Sequence, residues 1–231
     1  MLWPKRKHRG EQMGEVEDLD SVVKHAECLP IFPLQGMVLF PDTIVPLHIF
    51  EPRYVQLIDD SFQTHQLVCM PNLRFSMGEG EVPDVHTVAG VGKIIKKMDL
   101  PDNRYFILVK GIGTVDITSE LESERLYRQV CTTVREQSNE IIPMESQSEI
   151  RLLLQSVLLH GANKIKQLNQ ITSFLEMPEI RMAELNALAG GCVREPNIRQ
   201  AYLETSDLQL RIEYVTNGLA DALVALMDEE S

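Results

Sequence analysis

The chain has 231 residues, 44% of them hydrophobic and 24% charged, with a formal net charge of −12. That is enough chain to bury a core in one large domain or two small ones, and the acidic balance disfavours nucleic-acid binding, which rests on counterion release by Lys and Arg. No apolar run is long enough for a bilayer span, and the basic tip Lys5, Arg6, Lys7 and Arg9 is followed by acidic residues rather than the apolar stretch of a secretory signal; a cytoplasmic protein with no membrane partner is the expectation.

Residues 1–26 are polar and aperiodic and read as a mobile tail, with room for a short helix over Val16–Val23 that has little to pack on. From 27 to 138 the chain is β-rich. Residues 29–50 carry Pro30, Pro33, Gly36, Pro41 and Pro46 among apolar residues. Proline lacks a ladder donor and belongs at strand starts, edges and bulges. Short bent strands are expected at 29–34 and 44–49, joined by a turn at Pro41 and Asp42. Pro52 opens a helix over 52–63, with Tyr54, Leu57, Ile58 and Phe62 on its apolar face and Asp59 and Asp60 outward. Leu67–Met70 is a buried strand, and 72–86 is loop-like. Val88–Met98 and Arg104–Lys110 flank the turn residues Pro101, Asp102 and Asn103 as a hairpin. Separate strands at 113–119 and 127–135 complete this part.

Residues 139–231 read as a helical bundle, with the boundary in the polar stretch Glu136–Pro143. Glu149–Leu159 is leucine-rich and free of proline, and Ile165, Leu168 and Ile171 continue a helical period. Pro178 is expected to open a helix with Met182, Leu185 and Leu188 on its apolar face, ended by Gly190 and Gly191. Ser206 with Gln209 suggests a capping box for the last helix. Leu208, Ile212, Val215, Leu219, Ala222, Leu223 and Leu226 form its stripe, which burial suits better than exposure. Strands first and helices afterwards define an α+β fold in two segregated parts.

Residues 29–54, LPIFPLQGMVLFPDTIVPLHIFEPRY, resemble the opening of the amino-terminal domain of Lon proteases and its small stand-alone relatives. The matching positions are Leu29-Pro30, Pro33-Leu34, Leu39-Phe40-Pro41 and Pro46-Leu47 through Tyr54. Residues 88–111 resemble the family's second block. The resemblance covers about residues 28–227. Two positions depart from the pattern: Thr114 stands where family members often carry Arg, and Met177 where they often carry Asp. The resemblance implies a PUA-like pseudo-barrel followed by a helical bundle. It also implies a role in recognising unfolded protein substrates.

The chemistry-bearing residue types form few constellations. Gly90-Val91-Gly92-Lys93 imitates a P-loop, but Ile94 stands where Ser or Thr would hold Mg²⁺, and the segment reads as strand. The glycines fit close packing better. The Lon peptidase uses a Ser–Lys dyad in a separate domain with no counterpart here. G-x-S-x-G is absent, and Ser76 before Met77-Gly78 is its nearest imitation. Cys28, Cys69, Cys131 and Cys192 are widely spaced and read as reduced, mostly buried thiols. His8, His25, His48, His65, His86 and His160 show no i, i+4 pair, and His48 is expected to be at least half buried. No catalytic residue, metal or cofactor is assigned.

Phe50, Glu51, Arg53 and Tyr54 are the candidate peptide-binding residues, a polar pair beside two aromatics where a strand becomes a helix. The competing structural reading gives Glu51 to the helix dipole, pairs Arg53 with an acid and buries the aromatics. The expected function is non-catalytic recognition of unfolded polypeptides or exposed apolar segments in protein quality control, with a protease or chaperone as further partner. The alternatives are a peptidase-related enzyme whose partner supplies catalysis and an RNA-binding PUA-like module.

Overall fold

The computed structural model describes residues 19–74, 84–161 and 168–228, without the side chains of 168–170. The chain divides into two compact units, Met1–Gln137 and Ser138–Ser231. Most of the expected tail, residues 1–18, lies outside the described residues, as does Ser76. Residues 19–25 are helical (α1). This helix does have something to pack on: Val22 is fully buried among Leu29, Ile31, Leu67 and Val91.

The first unit holds six strands: β1 (Leu29–Pro30), β2 (Ile44–Ile49), β3 (Leu67–Met70), β4 (Val88–Leu100), β5 (Arg104–Leu121) and β6 (Gln129–Val134). Their order is β1-β6-β5-β4-β3, with β2 also paired to β5. All these pairings are antiparallel. Past β1 the chain runs parallel to β3, where the Phe32 N–H donates to the Cys69 carbonyl at 2.8 Å. That contact joins the first and last strands of the path and closes the sheet into a pseudo-barrel.

One strand is longer than proline and glycine placement suggested. The expected strands 104–110 and 113–119 are one, β5, which pairs β2 along its first half and β6 along its second. It turns that corner through register shifts at Val91/Gly92, Ile94/Lys96 and Ile117/Ser119, since a bulge raises the local twist. Gly111 interrupts nothing. Its N–H donates to the Thr43 carbonyl at 2.8 Å. It is glycine because the segment Leu39-Phe40 crosses the sheet there, with both side chains fully buried. A Cβ on Gly111 would fall on the Phe40 carbonyl, and one on Gly90 would fall on that of Leu39. The P-loop imitation is thus the packing floor for the Leu39-Phe40-Pro41 turn, where Asp42 takes φ 64°. The β4–β5 turn likewise places Asp102 and Asn103 at positive φ, which these residues tolerate better than most.

Helix α2 (Pro52–Phe62) buries Tyr54, Val55, Leu57 and Ile58 in a core with Val45, Leu47, Ile49, Ile107 and Val109. Phe62 is 39% exposed rather than in that core. Asp59 and Asp60 do not simply face solvent. Asp59 accepts from Lys97 Nζ at 2.6 Å and Tyr105 Oη at 3.0 Å. Asp60 accepts from Arg125 at 2.6 Å and Tyr127 Oη at 2.9 Å. The two carboxylates therefore fasten the helix on both sides. Burial, then the bond to Asp60, pushes the Tyr127 phenol up to about 12.

The second unit contains α3 (Met144–Gly161), α4 (Leu168–Leu175), α5 (Met182–Cys192), α6 (Pro196–Glu204) and α7 (Leu208–Asp228). Ile165 lies outside the described residues. Helix α5 begins at Met182, not Pro178, with Glu184 accepting from the Arg181 N–H at 2.9 Å. Gly191 lies inside it, without the positive φ of a left-handed cap. The helix α6 has no counterpart in the apolar spacing. Arginines satisfy three helix ends, as cations at C-terminal carbonyls should. Arg151 reaches the Leu175 and Met177 carbonyls, Arg199 those of Gly190 and Val193, and Arg211 that of Thr205. In the stripe of α7, Ile212, Val215 and Leu219 are buried, while Leu208, Ala222, Leu223 and Leu226 are half buried. The cap of α7 is Asp207, whose Oδ1 accepts from the Gln209 and Leu210 N–H groups at 2.9 and 3.3 Å; Ser206 does not take that place.

Candidate peptide-docking face

Burial alternates along β2. Val45, Leu47 and Ile49 point into the core, while Pro46 and His48 are exposed and Ile44 is half buried. The same alternation in β5 turns Phe106 and Leu108 outward, both half buried. Register then builds rows across three strands: Pro46–Leu108–Lys96 and His48–Phe106–Met98. The His48 and Phe106 rings meet edge-on at 5.1 Å. Met98 is 40% exposed, and Phe50, the residue after β2, is 65% exposed. His48 is therefore an exposed member of this face, contrary to the expectation of a half-buried ring. The reason is parity: it lies one residue from the buried Leu47 and Ile49.

Among the described residues, β2 pairs only β5. The Gly111 N–H donates to Thr43, so residues 43, 45, 47 and 49 bond toward β5, and Ile44, Pro46 and His48 direct backbone groups to the other edge. Pro46 removes one donor there, a usual guard on an open edge.

The four candidate residues divide around this face. Phe50 stands at its end. Glu51 and Arg53 form an exposed ion pair, with Arg53 Nη2 2.8 Å from Glu51 Oε2. Tyr54 lies beneath. It is 7% exposed, edge-on to Phe32 at 4.2 Å and covered by the Arg53 guanidinium at 4.6 Å. Its burial raises the phenol pKa. The candidates named from the sequence include Phe50 of this face and not Pro46, His48, Met98, Phe106 or Leu108. The alternation was there to find them, yet which phase faces outward depends on where α2 packs.

The other reactive side chains are dispersed. Cys69 and Cys192 are buried, and burial pushes both thiols up to about 12. Cys28 is exposed and Cys131 half buried, so only two of the four fit the expectation of burial. The His25 and His65 rings lie 4.6 Å apart. Burial, then the neighbouring His25, lowers His65 to about 4. Among the described residues no three His, Cys, Asp or Glu side chains are grouped to hold a metal ion, and no helix is long and apolar enough to cross a membrane.

The family model of the ATP-dependent protease La (LON) substrate-binding domain matches residues 28–221. A Lon protease of Dictyoglomus thermophilum is 23% identical over 216 residues, 92% of this chain and 26% of the relative. One of Geobacter metallireducens is 26% identical over 211 residues, 88% of this chain and 24% of the relative. The chain thus spans about a quarter of the length of these curated relatives. Among solved structures, the N-terminal domain of the Mycobacterium avium complex Lon protease superposes with a TM-score of 0.63 at 12% identity, covering 84% of this chain and 99% of that one. A Lon N-terminal domain protein from Xanthomonas campestris gives 0.57 at 20% identity, covering 80% and 95%. At these identities the structures speak for the fold, and the family match, which takes in most of the chain, carries the assignment: this protein belongs to the Lon substrate-binding domain family.

Proposed function

We propose that this chain is a recognition module for exposed apolar segments of unfolded polypeptide, and that catalysis, where it follows, comes from a separate protease or chaperone partner. The observation that carries the reading is the outward apolar face of β2, β5 and β4 beside the open edge of β2. Soluble surfaces seldom align Pro46, Leu108, Phe106 and Met98 in adjoining rows, with Phe50 exposed just past β2, without a use for them. An extended segment can add its backbone to the edge of β2 while alternate side chains rest on that face. Glu51 and Arg53 supply a polar rim, and Tyr54 supports Arg53 from below. Family membership supports a substrate-recognition role.

The test compares binding of one polypeptide, held unfolded by reduction and alkylation, with binding of its native form by fluorescence anisotropy. The full chain is expected to prefer the unfolded form. The double variant Phe50→Ser, Met98→Lys is expected to weaken that binding about tenfold or more, the effect of removing roughly two apolar anchors. Both side chains are substantially exposed, so circular dichroism of the variant should match the wild type. Leu152→Ser, a 64% exposed leucine in the helical unit, serves as control. Equal binding of both forms would remove the recognition reading. Unfolded-selective binding untouched by the double variant would move the site elsewhere.

A further inference from the structure

The short seam between β1 and β6 brings two cysteines near each other. Leu29 pairs with Val130 and Pro30 with Gln129. Cys28 immediately precedes β1, in a bend where its N–H donates to the His25 carbonyl at 3.0 Å, and Cys131 follows Val130 on β6. The Ile31 N–H donates to the Arg128 carbonyl at 3.0 Å, which makes 31–128 and 29–130 the hydrogen-bonded pairs and 30–129 the other kind. The ladder continued by one step would set Cys28 opposite Cys131 as a pair of that second kind, with Cα atoms about 4.5 Å apart, within the span a disulfide bridges. Just past the cysteines the Thr132 N–H donates to the Ala26 carbonyl at 2.7 Å, so the chains stay together there with the register shifted by one residue.

The sulfurs also share a face. Gln129 and Cys131 are two apart on β6 and project to the same side. The Gln129 amide Nε2 donates to Cys28 Sγ at 3.0 Å, and the Cys131 thiol donates to the Glu27 carbonyl at 3.0 Å. Each sulfur is therefore held against the opposing strand. Cys28 is exposed and Cys131 half buried, unlike Cys69 and Cys192, so a small oxidant in solvent can reach them.

We infer that Cys28 and Cys131 are a reversible dithiol–disulfide site that locks the β1–β6 seam. With hydrogen peroxide as oxidant, the Cys28 thiolate attacks one peroxide oxygen and the O–O bond breaks. Cys28 becomes a sulfenic acid and hydroxide leaves. The Cys131 thiolate then attacks the Cys28 sulfur, and the S–O bond breaks with loss of a second hydroxide. The two thiol protons and the two hydroxides make two waters, the sulfurs lose two electrons and the peroxide gains them. A dithiol reductant reverses the process by exchange. β1 contributes only two residues to the seam, and the barrel closes through the residues just after it, so a covalent tie there acts on closure itself.

The experiment treats the full chain with a small excess of hydrogen peroxide and follows it by intact mass, peptide mapping and thermal unfolding. The expected product is a monomer lighter by about 2 Da, with one cross-linked peptide joining Cys28 to Cys131. Its melting temperature should rise by roughly 5–10 °C and return on reduction, as closing a long loop predicts. Cys28→Ser and Cys131→Ser should each abolish the mass loss and the thermal shift. Each variant should melt near the reduced wild type, because neither removes a deeply buried side chain. Sulfinic acid without a cross-link, disulfide-linked dimers, or a bridge to Cys69 or Cys192 would each overturn the inference.

Discussion

Gly90 matters through the atom it lacks. A Cβ there would land on the Leu39 backbone carbonyl, which no rotamer change can move. Gly90→Ala should therefore cost about 3 kcal/mol in denaturant unfolding, at the upper end of overpacking effects. Gly191 is the counter-case: a Cβ would meet nothing within 4 Å, inside a helix. Gly191→Ala should raise stability by about 0.5–1 kcal/mol through helix propensity. His65 sets a pH dependence. Its native pKa is lowered to about 4 from an ordinary 6.5, first by burial and then by His25. Between those values the unfolded chain binds a proton that the native ring refuses. The stability is thus fully present above pH 6.5 and is lost as pH falls toward 4. The loss should be about 1–2 kcal/mol once solvent screening of a half-exposed ring is allowed for. Denaturation curves at pH 7 and 4.5 should show His65→Gln with a shallower fall than wild type.

At the scale of elements, local chemistry set most starts and tertiary contacts moved some of them. Pro52 opens α2 as a first-turn proline should. Pro178 opens nothing, because Ile180 is taken up by Gln147, whose Oε1 accepts the Ile180 N–H at 3.0 Å, and α5 waits until Met182. Ser206 and Asp207 are adjacent and both suit a cap, so composition alone could not choose between them. The structure gives the role to Asp207. Asp207→Ala should cost about 1 kcal/mol in thermal or chemical unfolding and Ser206→Ala only a few tenths; the reverse ranking would contradict the assigned cap. Strand length was the least legible quantity. Gly111 and Gly113 look like a break between two strands. They sit inside one strand because a backbone segment distant in sequence lies against Gly111.

At the scale of the whole molecule, the order of strands and helices was readable, and so was the family: Leu29–Tyr54 concentrates prolines and apolar residues in an unusual pattern. Most of that pattern serves the fold. Leu29, Ile31, Leu39, Phe40, Leu47 and Tyr54 are all buried, while Pro46, His48, Phe50 and Arg53 are among the few exposed positions of the run. The nearness of Cys28 and Cys131 was invisible, since 103 positions separate them in the chain and only the pairing of β1 with β6 brings their segments together. The sequence by itself determined most of the strand and helix segments, though not α6 or the unity of β5, and which family they compose, because periodicity, proline placement and turn residues act over a few neighbours. Only the tertiary structure decided which strand face meets solvent, which glycines are packing sites and which thiols are buried, because those depend on residues brought together from distant parts of the chain.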